Sequence, residues 1–92
     1  MIAGFAHRGL RRLYERGDRS GVRPDMAAKL ERILQRLDTV AAPDQMGLPG
    51  YRLHQLAGDL RGFWSVAVNG NWRVIFRFRD GQVLDVNLVD YH

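Results

Sequence analysis

Apolar residues recur along this chain with two different periods, helical in the first half and alternating in the second. Met26, Leu30, Ile33, Leu34 and Leu37 fall 4, 7, 8 and 11 positions after the first of them, which makes one buried stripe of an amphipathic helix. Glu31, Arg32, Gln35 and Arg36 cover its other side, as a solvated face or a docking face, and Pro24 suits its first turn. Upstream, Leu10, Leu13 and Tyr14 predict a shorter helix within residues 8–21, ended by Gly17 and Gly21. The stretch MIAGFAH before it is apolar and reads as a first strand. TVAAPDQMGLPG is a connection, marked by Pro43, Pro49 and Gly50. After it come four strand-like runs, YRLHQL, GFWSVAV, NWRVIFRF and QVLDVNLV. NGN and DGQ separate the last three, which predicts an antiparallel meander. With no internal repeat, residues 1–92 read as one α+β domain. Two N-terminal helices pack on one face of a mostly antiparallel sheet of four to five strands.

The strand register decides which side the arginines take. A two-residue Asn69-Gly70 turn would pair Val68 with Asn71 and mix apolar and charged groups on both faces. A three-residue loop over 69–71 pairs Val68 with Trp72 and gathers Trp64, Val66, Val68, Trp72, Val74, Phe76 and Phe78 on one face. A one-residue slip moves every side chain to the opposite face, so this apolar set selects the longer loop. The same reasoning at DGQ sets Phe78 opposite Leu84 and Phe76 opposite Val86. The other face then carries Ser65, Ala67, Arg73, Ile75, Arg77, Arg79, Asp85, Asn87 and Tyr91. On it Arg77 meets Asp85 and is partly neutralised, whereas Arg73 has no acidic partner across the strand. Strict alternation would turn Asp90 and His92 toward the core side. They lie beyond the apolar run, and we expect the strand to twist or end there.

Composition narrows the setting. The chain has no cysteine, which removes disulfides and thiolate metal sites and fits a reducing compartment. No signal-peptide pattern opens it, and no run approaches the roughly 20 apolar residues of a membrane span. A cytoplasmic protein without a membrane partner is expected. The net charge is +4, and of fourteen cations only Lys29 is not arginine. Arginine presents a planar fork that suits phosphate, although codon bias produces the same preference. Nucleic acid becomes a candidate partner.

His54 belongs to a strand expected to join the same sheet, so His54 and His92 could meet over one surface with Arg73 and Tyr91 between them. These are the groups that cleavage of RNA needs: a base for a ribose 2′-hydroxyl, an acid for the departing 5′-oxygen, and a cation for the charge gathering on phosphorus. A histidine titrating near 6.5 serves in either proton role. The terminal carboxylate on His92 favours its imidazolium form, which suits an acid or a phosphate contact. His54 is then the candidate base, and Asp90 orients an imidazole or contacts ribose. Each residue also has an ordinary use. A strand histidine is commonly structural or solvated, a terminal tyrosine packs, and arginines on an open sheet are solvated. His7 precedes the first helix and reads as a cap or surface residue, while Trp64 and Trp72 read as core. The three histidines lack metal-ligand spacing, so neither a metal nor another cofactor is expected. From the residues alone, the chain is a small basic α+β domain with RNA as a candidate ligand.

A more specific signal lies in RLHQLAGDLRGFWSVAVNGNWRVIFRF followed by DYH. It resembles the HigB toxins of bacterial type II toxin–antitoxin systems, within the RelE/ParE superfamily. The likeness extends from FAHRGLRRLYERG through LPGYRLHQL to the last residue. It implies a RelE-like fold and metal-independent cleavage of mRNA in the A site of the 70S ribosome. It also implies neutralisation by a cognate helix-turn-helix antitoxin, with operator DNA engaged only through that antitoxin. Carried onto this chain, it gives active-site roles to His54, Arg73, Asp90, Tyr91 and His92 and an mRNA contact to Asn71. Arg61, Arg77 and Arg79 are expected as further RNA contacts. One departure stands out. Many relatives have lysine where HQLAGDL has Ala57, which weakens phosphate contact unless Arg61 compensates. Two rivals share the fold: a non-catalytic ParE-like toxin that binds DNA gyrase, and a degenerate toxin kept for regulation.

Overall fold

The computed structural model describes residues 1–90. Its elements are α1 (Arg8–Arg16), α2 (Pro24–Thr39), β1 (His54–Gln55), β2 (Trp64–Asn69), β3 (Trp72–Arg79) and β4 (Gln82–Asp90), with 3₁₀ turns at Pro43–Met46 and Gly58–Leu60. The strands form an antiparallel sheet in the order β1-β2-β3-β4. Every member of the expected α2 stripe is buried, joined by Ala27. With Leu10 and Leu13 of α1 it packs on Val66, Val74, Phe76, Val83 and Val86 of the sheet. Both helices therefore cover one face, and Trp64 and Trp72 pack at the margin of this core as expected.

The N-terminal segment runs along the outer edge of β4 but forms no continuous ladder. Two parallel bridges hold it, Ile2 to Val83 and Phe5 to Val86. The interruption coincides with an irregularity in β4 itself. Asp85 has φ 54°, and the β3–β4 register shifts between Ile75 and Arg77. The extra residue lets Val83 and Val86, three apart, both face the core, as a bulge does.

Beyond this bulge the expected β3–β4 frame is kept, with Ile75 opposite Asn87 and Val74 opposite Leu88, and between the bulge and the turn it is corrected. Phe78 pairs with Val83, not Leu84, and Arg77 pairs with Leu84. The cause is the turn. Asp80 and Gly81 have φ of 52° and 77°, as a two-residue type I′ hairpin requires, and Asp-Gly favours it over the longer loop. The β2–β3 pairing has the expected frame, with Trp64 opposite Phe76 and Val66 opposite Val74. Near its turn Asn69 rather than Val68 pairs with Trp72, and the register shift between Ala67 and Asn69 absorbs the difference. The expected strand over YRLHQL shrinks to two residues because Arg52, at φ 49°, turns the backbone out of the ladder.

Each helix end has a local cause. Gly17 is left-handed at φ 67° and closes α1, its N–H donating to the Leu13 carbonyl at 3.0 Å. Gly21, expected as a second stop, lies in the following loop and presses on Gly9 of α1. His7 caps the other end: its Nδ1 accepts from the Leu10 N–H at 3.1 Å. Only an unprotonated ring can accept. Burial, and then the charge of Arg12, hold this imidazole below its usual titration range. A lowered folded value means the cap's contribution is complete above the unfolded value of about 6.5 and is lost as pH falls through the folded one. His7→Ala should cost about 1 kcal/mol at neutral pH. In paired urea melts its deficit against wild type should shrink as pH falls. A deficit constant from neutral to acid pH would rule out the cap as the pH-dependent element.

Candidate functional site

The β1–β2–β3 register assembles a cleft on the sheet face away from the helices. His54 pairs with Ser65, Ser65 with Ile75, and Ala67 with Arg73. His54, Ser65 and Arg73 thereby converge, lining a cleft of about 300 Å³ together with Gln55, Leu56 and Ala57. The face is not the open plane expected from alternation, since Ser65 and Ile75 are 0% and 3% exposed.

Two contacts set the chemistry of this cleft. The Arg73 guanidinium donates from Nη1 to the Ser65 hydroxyl at 3.0 Å. Among the described residues no carboxylate forms an ion pair with Arg73, so its charge is kept, as the sequence suggested. His54 is exposed, and its Nδ1 lies 2.6 Å from the Arg52 carbonyl. A carbonyl oxygen only accepts, so Nδ1 carries the proton and Nε2 of the neutral ring keeps its lone pair. The left-handed backbone at Arg52 thus has a use beyond ending the strand: its carbonyl fixes the imidazole tautomer. A ring nitrogen able to take a proton and an arginine that no described carboxylate neutralises share one small cleft.

The other expected residues are spread around it. Arg73, Arg77 and Arg79 alternate along β3 and so share its outer face. Arg77 is opposite Leu84 rather than Asp85, but the Asp85 carboxylate still reaches to 4.0 Å. With side chains 43% and 54% exposed, this pair is worth little in stability, and the partial neutralisation expected for Arg77 is weak. Its guanidinium also lies 4.9 Å over the Phe63 ring. Arg79 is exposed opposite Gln82, Arg61 is exposed after the Gly58–Leu60 turn, and Asn71 is exposed between β2 and β3. Ala57 is exposed at the cleft wall.

Asp90 behaves differently from the expected twist or early end. β4 continues through it, and it pairs with Trp72, while Val89 pairs with Arg73. Its register position is that of the helix-side set, and it is not among the residues that line the cleft. Tyr91 and His92 lie outside the described residues. The structure therefore unites His54 and Arg73 and places Asp90 one register step away. Among the described residues no group of three histidine or carboxylate side chains could hold a metal ion. No helix in them is long and apolar enough to cross a membrane.

Sequence reasoning missed two participants. Ser65 appeared only as a small residue on the outer face, and Arg52 only as part of a strand. The parity that puts Ser65 beside His54 was readable, but its bond to Arg73 needed coordinates.

Residues 3–92 match the family described as RelE-like toxin of type II toxin–antitoxin system HigB. The chain is 39% identical over 92 residues, the whole of both chains, to Endoribonuclease HigB of Proteus vulgaris. It is 33% identical over 90 residues, 96% of this chain and 95% of the relative, to Toxin HigB-1 of Vibrio cholerae serotype O1. A chain that carries this fold and matches the family from its third residue to its last belongs to the HigB-type, RelE-like toxins of type II toxin–antitoxin systems.

Proposed function

We propose that this toxin is an endoribonuclease that cuts mRNA in the A site of translating ribosomes, using the His54–Arg73 cleft. The observation that carries this reading is the guanidinium of Arg73, ion-paired to no carboxylate among the described residues, in the same cleft as an imidazole with Nε2 open. His54 Nε2 takes the proton of a ribose 2′-hydroxyl, and the 2′-oxygen attacks the adjacent phosphorus. Arg73 offers its remaining N–H donors to the oxygens on which charge accumulates. The 5′-oxygen departs with a proton from an acid, a role we assign to His92, to which the family resemblance gives a place in the active site. The products are a 2′,3′-cyclic phosphate and a 5′-hydroxyl. A positioned base contributes roughly 100- to 10,000-fold, and the cation supplies the electrostatic share.

As a type II toxin the chain is half of a toxin–antitoxin pair. We read the partner as a helix-turn-helix antitoxin that alone contacts operator DNA, the setting as cytoplasmic, and residues 1–92 as one domain. Asn71, Arg61, Arg77 and Arg79 extend the RNA contact beyond the cleft. On the family resemblance we assign Tyr91 and His92 to the same site, and Asp90, one register step from Arg73 but on the helix side of β4, to a supporting contact outside the cleft. The deciding experiment sets mRNA cleavage in translating complexes beside gyrase supercoiling, both with purified toxin. Cleavage without effect on supercoiling supports the nuclease. Inhibited supercoiling without cleavage supports a ParE-like poison, and silence in both supports a degenerate toxin.

Ala57 offers a graded test, because it stands at the cleft wall. Ala57→Lys would bring an ammonium to the phosphate. We expect a several-fold faster cut and stronger growth arrest. No change in either would make the missing cation irrelevant.

A further inference from the structure

We propose that Ser65 is a positioning residue that aims the Arg73 guanidinium at the scissile phosphate, an inference that rests on the nuclease reading above. Ser65 is the one fully buried polar side chain among the described residues, at 0% exposure. It sits at the junction of the cleft, paired with His54 on one side and Ile75 on the other. A position so enclosed would serve packing equally well as alanine or valine. It carries instead a hydroxyl that accepts from Arg73 Nη1 at 3.0 Å.

The choice of acceptor matters. Two other arginines are held by carboxylates, Arg19 by Glu31 at 2.6 Å and Arg23 by Asp25 at 3.2 Å. Such partners fix an arginine but cancel its charge. A serine hydroxyl fixes it and leaves the charge intact for an incoming phosphate. The guanidinium is a rigid plane with five donors, so one bond at Nη1 orients the rest of the fork. Burial keeps water from competing for the Ser65 oxygen. An arginine side chain is otherwise rotamer-rich, and orienting it before substrate arrives removes that ordering from the reaction step.

The test compares Ser65→Ala, Ser65→Thr, Arg73→Lys and the double variant Ser65→Ala/Arg73→Lys. Each is assayed for cleavage of mRNA in translating complexes and for thermal midpoint. Rotation of the Arg73 guanidinium is followed by nitrogen-15 NMR in wild type and Ser65→Ala. We expect Ser65→Ala to lower kcat about tenfold, a change of about 1.4 kcal/mol in barrier, with KM within about twofold. Ser65→Thr should recover most of the rate. Ser65→Ala should add little to Arg73→Lys, and it should free the Arg73 guanidinium to rotate as exposed arginines do. A wild-type rate in Ser65→Ala, an equal further loss in the Arg73→Lys background, or an unchanged Arg73 NMR signature would overturn the proposal. Wild-type cleavage by Arg73→Lys would instead remove the need for the guanidinium fork itself. Slow Arg73→Lys with normal Ser65→Ala removes only the role of Ser65.

Discussion

Arg73→Ala is expected to slow mRNA cleavage about 100- to 1,000-fold, the usual cost of removing one donor aimed at transition-state charge. The protein should remain folded. Arg73 has no ion-paired carboxylate among the described residues, so its loss strands no buried charge. Its backbone stays in the β2–β3 and β3–β4 ladders, opposite Ala67 and Val89. What it leaves is the Ser65 hydroxyl, buried in the wild type but uncovered to water once the guanidinium is gone. A change of about 1 kcal/mol or less follows, or a few degrees in thermal midpoint for a domain of this size. Single-turnover cleavage and a thermal melt on the same preparation check both halves. A collapse of the melt together with the rate would mean that Arg73 holds the sheet and is not a catalytic group. A wild-type rate in a stable variant would remove it from the site altogether.

The second large effect concerns stability, and its sign separates two views of one residue. Gly9 lies inside α1, where alanine would ordinarily favour the helix by about 1 kcal/mol. Here a Cβ at Gly9 would come 2.1 Å from the Gly21 carbonyl oxygen and 2.9 Å from His7 Cε1. The first of these obstacles is backbone, so no side-chain rotation relieves it. Gly9→Ala should therefore destabilise by about 3 kcal/mol, at the upper end of overpacking costs. That corresponds to a fall of roughly 12–24 °C in midpoint at about 4–8 °C per kcal/mol. Gly21→Ala should behave alike, because its Cβ would lie 2.6 Å from the Gly9 Cα. Chemical denaturation of the two variants is the check. A stabilised Gly9→Ala would mean that helix propensity, not this close approach, governs the position.

How far the sequence could be read follows from the kind of signal each feature carries. The α2 stripe repeats over several turns, and every residue in it is buried where its spacing implied. The frame of β2 against β3 was readable because one apolar set excluded the alternative register. The β3–β4 pairing was read in its true frame from Ile75 opposite Asn87 outward and misread only between the bulge and the turn, because two local preferences competed. Asp-Gly favours a two-residue turn, the apolar pattern favours a three-residue one, and the fold satisfies both by inserting a bulge at Asp85. Pattern counting assumes an unbroken ladder and cannot see that solution. The meeting of His54 with Arg73 depended only on parity within β1, β2 and β3, so it was legible. The tautomer of His54 depends on a carbonyl two residues away in a left-handed backbone. The aim of Arg73 depends on one serine eight positions earlier. Neither contact has a periodic signature.

On the proposed reading, the cleft between β1 and β3 cuts RNA by bringing the His54 imidazole and the Arg73 guanidinium, which no described carboxylate neutralises, to one phosphodiester. The most direct measurement maps the ends produced when purified toxin meets a translated message, with wild type, His54→Ala and Arg73→Ala side by side. Cuts confined to the ribosomal A site, ending in a 2′,3′-cyclic phosphate and lost in both variants, are the predicted result. Ends of other chemistry, or the same cuts at full yield from either variant, would contradict it.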